Sequence, residues 1–428
     1  MYEISWLVVS AMPFISALVE RSWLGPATLL AAVMSASVIG TTLFAPEYSM
    51  TADGLMIVSV FLITTLLGST VGYFAVPISP RATKITNFEL RRGQLYILGY
   101  VSAVAGLLIT LQTTGTSFVQ LLSPSGLMSI AQQITQERYT AGLGLPMTYN
   151  VANSLLLTYA IVLGVTLGLG FKHAWWAYVP ILIFWFGNII ITTRAPIIFS
   201  ASIVAFAFIY GKAIVNNKFA PIKLWNARVL LTLILGGAGV LGLFYFVQTL
   251  RFGESGARDA AEVLQHLRKW PFGSLPSFSM WWEGWSGRVE TPFGYYTFTG
   301  ILDNLGIAER VKGGFDEYVA LAAGERGNVY TIFRGLIMDF GFTGAGVFCF
   351  LLGALGGVAY KGMRRGRLMM FSLYTAIICF MLWSFVISFF SFTSHIACFV
   401  LGPLALKYFA KRHVSSQRVA PKLNVATI

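Results

Sequence analysis

Apolar runs of about twenty residues, almost free of charge, recur along the whole of this 428-residue chain. A run of that length spans the hydrocarbon of a bilayer as a helix, with every backbone polar group satisfied inside the segment. The runs take up most of the sequence. Hydrophobic residues make up 56% and charged residues 11%, against roughly 25% charged in a soluble domain. At ~20 apolar residues per crossing, the hydrophobic positions suffice for about twelve helices. A soluble enzyme, a disordered chain and a secreted disulfide scaffold are excluded. An outer-membrane barrel is disfavoured because the runs are continuous and lack period-two alternation. The expected fold class is an all-α polytopic membrane protein.

Eleven spans are expected, at 4–19, 25–44, 54–76, 94–112, 151–170, 174–192, 195–211, 229–249, 329–360, 368–387 and 391–409. The sixth and seventh form a hairpin around Thr192–Ala195, and the ninth is long enough for its first turns to leave the hydrocarbon. Charge sets the orientation. With the N-terminus outside, 19 of the 30 basic residues fall on inner loops and the tail, with only Glu20 and Glu89 as acids there. That is the positive-inside asymmetry; it also explains the net charge of +13 without nucleic acid as a partner. The C-terminus is then cytoplasmic. Cys349, Cys379 and Cys398 lie in apolar runs and suggest neither metal nor disulfide. The first apolar run lacks a basic leader, so a cleaved signal is not expected.

Two outer segments are long. The first, 113–150, carries a Ser-Pro-Ser-Gly turn at 123–126 and a helix through Gln133 to Arg138. The second, 250–327, opens with an amphipathic stretch from Arg258 to Lys269. Its Trp- and Tyr-rich remainder should fold back as a cap. Aromatics there read either as a membrane-interface belt or as flat faces for sugar C–H groups.

Ionisable residues near membrane depth are costly and mark function by default. Those on the outer half are Arg194, Arg251, Arg326, Arg334, Asp339 and His395. If 326–341 is helical, Arg326, Tyr330 and Arg334 share one face. Asp339 is about 140° round from Arg334 at ~100° per residue, so it need not be that arginine's partner, and contact with another helix is the expectation. Arginines at an outer interface suit a diphosphate, because the guanidinium fork is planar and always charged. The alternative is snorkelling to headgroups or pairing with loop acids such as Glu325. Glu283 and Glu290, which flank Arg288, and His266 are the candidate general bases; ion pairing or solvation is the alternative for each. No phosphate-binding loop and no metal-ligand spacing is present, so neither metal nor another cofactor is expected. Gly353, Gly356 and Gly357 fit close helix packing.

The stretch Gly327-Asn-Val-Tyr-Thr-Ile-Phe-Arg-Gly-Leu-Ile-Met-Asp-Phe-Gly-Phe-Thr-Gly344 resembles the signature of bacterial O-antigen (oligosaccharide repeat-unit) polymerases. There an Asn-x-Tyr-Thr step leads through an arginine into Asp-Phe-Gly. Thr291-Pro-Phe-Gly-Tyr-Tyr-Thr-Phe298 is similar to that family's Pro-x-Gly segment, and Thr193-Arg-Ala-Pro-Ile-Ile198 to its arginine-led span start. The paired Arg-x10-Gly motifs of some members are not met. The resemblance implies a GT-C type glycosyltransferase of the bacterial inner membrane with a periplasmic active site. A growing glycan would pass from undecaprenyl diphosphate to a new lipid-linked unit, in O-antigen or similar polysaccharide biosynthesis. A chain-length regulator and a flippase are the implied partners. Arg194, Arg251 and Arg334 would then hold the donor diphosphate, and Arg288 and Arg326 the second lipid-linked unit. Tyr296, Tyr330, Asn328 and Asp339 would contact substrate, with Glu283, Glu290 or His266 as base.

Two other readings stand beside it. An O-antigen ligase has a similar layout but transfers the glycan to lipid A core. A lipid-linked oligosaccharide flippase should show internal repeats and midplane charges, and this chain has neither.

Overall fold

The structure is a computed structural model. It describes residues 1–77, 88–140, 145–215, 239, 242–243, 245–250, 268–287, 293–309 and 315–412. The described chain is mostly helical, as an all-α polytopic membrane protein requires. Its helices are α1 (Tyr2–Glu20), α2 (Pro26–Phe44), α3 (Ala52–Ala75), α4 (Arg92–Thr113), α5 (Pro124–Thr140), α6 (Met147–Gly168), α7 (Val179–Ile190) and α8 (Ala195–Val215). There follow α9 (Ser274–Gly284), α10 (Thr299–Asn304), α11 (Ile332–Arg364), α12 (Leu368–Trp383) and α13 (Thr393–Phe409). Among the described residues, seven are long and apolar enough to cross a membrane: α1, α2, α3, α4, α6, α8 and α11. A shorter apolar helix runs from Trp175 to Ile190, and α12 is another. Most of the expected eighth span, 229–249, lies outside the described residues, as do residues 258–267 of the amphipathic stretch and most of the tail.

The core is built around α6, the most enclosed of the long helices, which packs against α4, α8 and α13. α1 and α4 show most of their apolar surface outward, as peripheral membrane helices do. α3 and α11 meet backbone to backbone. A Cβ on Gly68 would lie 2.0 Å from the Phe350 carbonyl oxygen, and one on Gly357 2.1 Å from that of Ser69. This is the small-residue contact that bilayer helices use where hydrophobicity gives no preference, and it agrees with the packing role expected for the glycines of the ninth span.

Helix ends gather at two ends of the bundle. At the loop end, Ser49 N–H donates to the Leu321 carbonyl (3.2 Å) and Asn153 Nδ2 to Ser394 Oγ (3.2 Å). At the tail end, Arg91 N–H donates to the Phe409 carbonyl (2.9 Å). Two small antiparallel ribbons complete the fold. One pairs β1 (Phe88–Leu90) with β4 (Ala410–Arg412), the other β2 (Val319–Ala322) with β3 (Glu325–Gly327).

The second ribbon corrects one expectation. Residues 326–341 are not a single helix. Arg326 sits on β3, exposed, and α11 begins only at Ile332, so Arg326, Tyr330 and Arg334 do not share a helical face. A second break follows at Gly341, where φ 69° and ψ 174° divide α11 into two helical segments. That backbone region is open essentially to glycine alone. Gly341→Ala should therefore cost about 1–3 kcal/mol, read as a lower unfolding midpoint in detergent; an unchanged midpoint would mean the break is not required. The turn expected at 123–126 is the first turn of α5, with Pro124 opening the helix and Ser123 Oγ accepting from Gly126 N–H (3.1 Å).

At the tail end His173 lies between Tyr96 Oη (3.0 Å from Nδ1) and Thr166 Oγ1 (2.9 Å from Nε2). Burial, aided by nearby Arg92, lowers its pKa from 6.5 to about 4. The fold thus prefers the neutral ring. Its contribution to stability is complete above pH 6.5 and is lost as pH falls through about 4. The unfolding midpoint should drop between pH 7 and pH 4, and His173→Gln, which keeps polar contacts without titrating, should flatten that drop. An equal drop in the variant would assign the acid sensitivity elsewhere.

Candidate functional site

The loop end carries a guanidinium in a closed aromatic setting. Arg334, in the first turn of α11, is only 2% exposed. Its Cζ lies 3.9 Å from the ring centre of Tyr330, 4.2 Å from that of Phe315 and 5.1 Å from that of Trp281. Each such contact supplies part of what desolvation of the charge costs. Arg334 Nη2 also pairs with Glu317 Oε2 at 2.5 Å, and Glu317 is 69% exposed. Nε and Nη1 are buried and, among the described residues, have no hydrogen-bond partner. A buried cation with two open donors among the described residues, joined to solvent through one exposed carboxylate, is an arrangement that stability alone does not explain.

The surrounding motif residues hold this setting in shape. Tyr330 Oη donates to the Glu317 carbonyl (2.9 Å), and Asn328 Nδ2 donates to the Phe315 carbonyl (3.5 Å). Both therefore brace the strap that carries Phe315 and Glu317 to Arg334. Tyr296 stacks on Phe315 with centroids 4.7 Å apart. Burial raises the phenol pKa of Tyr296 and of Tyr330, partly offset by Arg334, so both stay neutral at neutral pH. Asp339 is 2% exposed, and its two oxygens accept the backbone N–H groups of Tyr296 (2.9 Å) and Thr297 (2.7 Å). It faces a loop and not a helix, and each of its oxygens is engaged by that loop. Asp339, expected from the resemblance to contact substrate, serves in this structure as a latch between the Tyr-Tyr-Thr and Asp-Phe-Gly stretches.

The remaining sequence-derived residues fall as follows. Arg194 is half-buried just before α8, its carbonyl accepting from Ile198 N–H (3.2 Å). The hairpin ahead of it is pinned by Thr193 Oγ1 donating to Asn188 Oδ1 (2.7 Å). Glu283 is exposed near the end of α9, two residues beyond Trp281. Arg251, His266, Arg288 and Glu290 lie outside the described residues. His395 is a core residue, stacked on Phe389 at 4.1 Å. Glu325 does not pair with Arg326. It accepts from Tyr48 Oη (2.7 Å) and lies within 3.6 Å of Arg268 and 3.7 Å of Lys269. Within the aromatic segment Phe278 is fully buried and Trp281 nearly so, Trp282, Trp285, Tyr295 and Tyr296 are partly buried, and Phe293 is 81% exposed. Phe315 and Glu317 escaped the sequence reading because no motif or periodicity marks them.

Beside this site runs an apolar groove of about 390 Å³ between α2, α8 and the end of α12. Val33, Ala36, Phe206, Phe272, Leu382 and Phe385 contribute to its walls. Trp383, also on the wall, packs edge-on against Phe199 of α8 (4.5 Å). The next residue, Ser384, accepts the Ile332 N–H (2.7 Å), which ties the groove to the start of α11. Among the described residues, no cluster of His, Cys, Asp and Glu could hold a metal.

Comparison with known proteins identifies nothing further: no family model, no curated protein and no solved structure matches the chain.

Proposed function

We propose that this chain is a polymerase of lipid-linked oligosaccharide repeat units, in the manner of the O-antigen polymerases its motif resembles. The observation that carries the reading is Arg334: a desolvated guanidinium with open Nε and Nη1 donors inside the Asn-x-Tyr-Thr to Asp-Phe-Gly stretch. In this reading the chain has eleven spans in the bacterial inner membrane, with the N-terminus and the loop end in the periplasm. The Lys and Arg excess on the opposite side supports that orientation.

The chemistry asks for little beyond position and charge. The acceptor sugar hydroxyl attacks the anomeric carbon of the growing chain; the C–O bond to the diphosphate breaks, and undecaprenyl diphosphate leaves with the electron pair. Negative charge grows on the diphosphate. A guanidinium already stripped of water stabilises it without reorganisation. The exposed Glu317 carboxylate occupies Nη2 until a diphosphate oxygen competes for it. By the resemblance, Arg194 and Arg251 would join Arg334 at the donor diphosphate, and Arg288 and Arg326 would meet the second lipid-linked unit; of these four, Arg194 and Arg326 are among the described residues. The prenyl chain has an apolar groove beside the site. Glu283, exposed on α9, is the described carboxylate suited to take the acceptor proton.

The decisive test incubates the purified protein with synthetic undecaprenyl-diphosphate repeat units and no nucleotide. Oligomers of increasing length are expected. Unchanged starting material, or transfer only to added lipid A core, would sink the assignment.

A further inference from the structure

The tail end holds a cavity that the proposed reaction leaves unused. It measures about 410 Å³ and lies between α1, α3 and α11, with Glu20, Arg21, Ser69, Tyr73, Tyr360 and Arg364 on its walls. Glu20 is already committed. Its Oε1 accepts from Ala27 N–H (3.2 Å) and Ser69 Oγ (2.5 Å), and its Oε2 from Thr28 N–H (2.9 Å) and Thr28 Oγ1 (2.8 Å). Four donors fill the acceptor positions of a carboxylate, so Glu20 caps α2 and offers no site to a guest.

What faces the cavity otherwise is cationic and hydroxylic. Arg364 donates to Tyr73 Oη (3.4 Å) and lies 5.7 Å from the centre of the Tyr360 ring. Arg21 ends α1 in a left-handed conformation with φ 51° and is exposed. Lys361 Nζ stands 4.8 Å over the Tyr73 ring. Two guanidinium groups, one at the end of α1 and one on α11, line the cavity and suit phosphate oxygens. The rim is apolar: Val19 is 50% and Phe74 74% exposed, at the ends of two helices apolar enough to face lipid. Basic pockets between helices at the membrane surface are where anionic headgroups lodge.

We propose that this cavity binds the phosphate of an anionic phospholipid headgroup, with Arg21 and Arg364 as its charged ligands, Tyr73 and Tyr360 shaping its walls, and the acyl chains leaving past Val19 and Phe74. Inorganic phosphate shares the anion chemistry but has no use for the apolar rim. The site stands independently of the reaction at the loop end.

The test measures binding to the purified full-length protein by native mass spectrometry and competition. Three probes are used: dioleoyl phosphatidylglycerol, dioleoyl phosphatidylcholine and inorganic phosphate. Phosphatidylglycerol should bind in preference to phosphatidylcholine. Its affinity should fall by about tenfold or more in the Arg21→Gln/Arg364→Gln variant, since each charge-assisted contact is worth a factor of that order. Lys172→Gln, an exposed basic residue at the same end, should change nothing. If the double variant aggregates, Thr70→Glu, which adds a negative charge to the cavity wall, should produce the same loss. Equal binding of the two lipids, or full binding in the variants, overturns the site. Saturation by inorganic phosphate at the concentrations where the lipid binds overturns the lipid source.

Discussion

Arg334→Ala should abolish long glycan ladders and lower the rate of oligomer formation by about a hundredfold to a thousandfold, the usual consequence of deleting one preorganised charge-stabilising donor. Arg334→Lys should fail to restore it, although the charge is kept. An ammonium is a point charge without the fork, and it cannot fill the position between Tyr330 and Phe315 in the same way. The two variants therefore separate charge from geometry. Ladders of normal length in Arg334→Lys, with none in Arg334→Ala, would reduce the residue to a countercharge. Normal ladders in both would remove it from the reaction. Glu317→Gln belongs to the same experiment. It weakens the competitor for Nη2 and should leave the enzyme active with a lower apparent KM for the lipid-linked donor, whereas a purely structural pair would give a less stable protein with an unchanged KM.

The second large effect concerns stability. Asp339→Ala removes the acceptor of two buried backbone N–H groups, those of Tyr296 and Thr297, which then have no partner at 2% exposure of the aspartate. Charge-assisted hydrogen bonds of this kind contribute roughly 1.5–3 kcal/mol each. A loss of about 3 kcal/mol or more is expected, seen as a much lower unfolding midpoint and as protease cleavage within 293–309. Asp339→Asn should lie between, because its amide retains one acceptor and turns a donor toward the other N–H. Wild-type protease resistance in Asp339→Ala would mean that the latch does not hold the segment.

How much of this was visible beforehand differs by element. Membrane class and most helix positions follow from apolar runs that a soluble fold could not bury. The hairpin at Thr192–Ala195 is legible because Thr and Pro interrupt the apolar runs there, and the helix through Gln133 to Arg138 is legible too, but its start at Pro124 is not, because Ser-Pro-Ser-Gly reads equally as a turn. The helical face through Arg326, Tyr330 and Arg334 was not, because spacing cannot reveal that β3 claims Arg326 and that the helix starts at Ile332. In the site, Arg334 stood out as a charge in apolar sequence. Its partners Phe315 and Glu317 did not, since long-range contacts between a loop and a helix leave no local period. Asp339 was seen as pointing away from Arg334, but its target was a pair of backbone amides, which no side-chain pattern encodes.

The contact of α3 with α11 has a mechanical consequence. Gly68, Gly72, Gly353 and Gly357 press main chain on main chain beyond the Gly341 break, and a Cβ at any of them would come within about 2.2 Å of a neighbouring carbonyl oxygen. The stretch of α11 after Gly341 is thereby held against α3, and the buried stretch before it, which bears Arg334, meets it at the Gly341 break. A pull on the site, as a growing glycan would exert in the proposed reaction, is met by a long segment locked to α3 main chain to main chain.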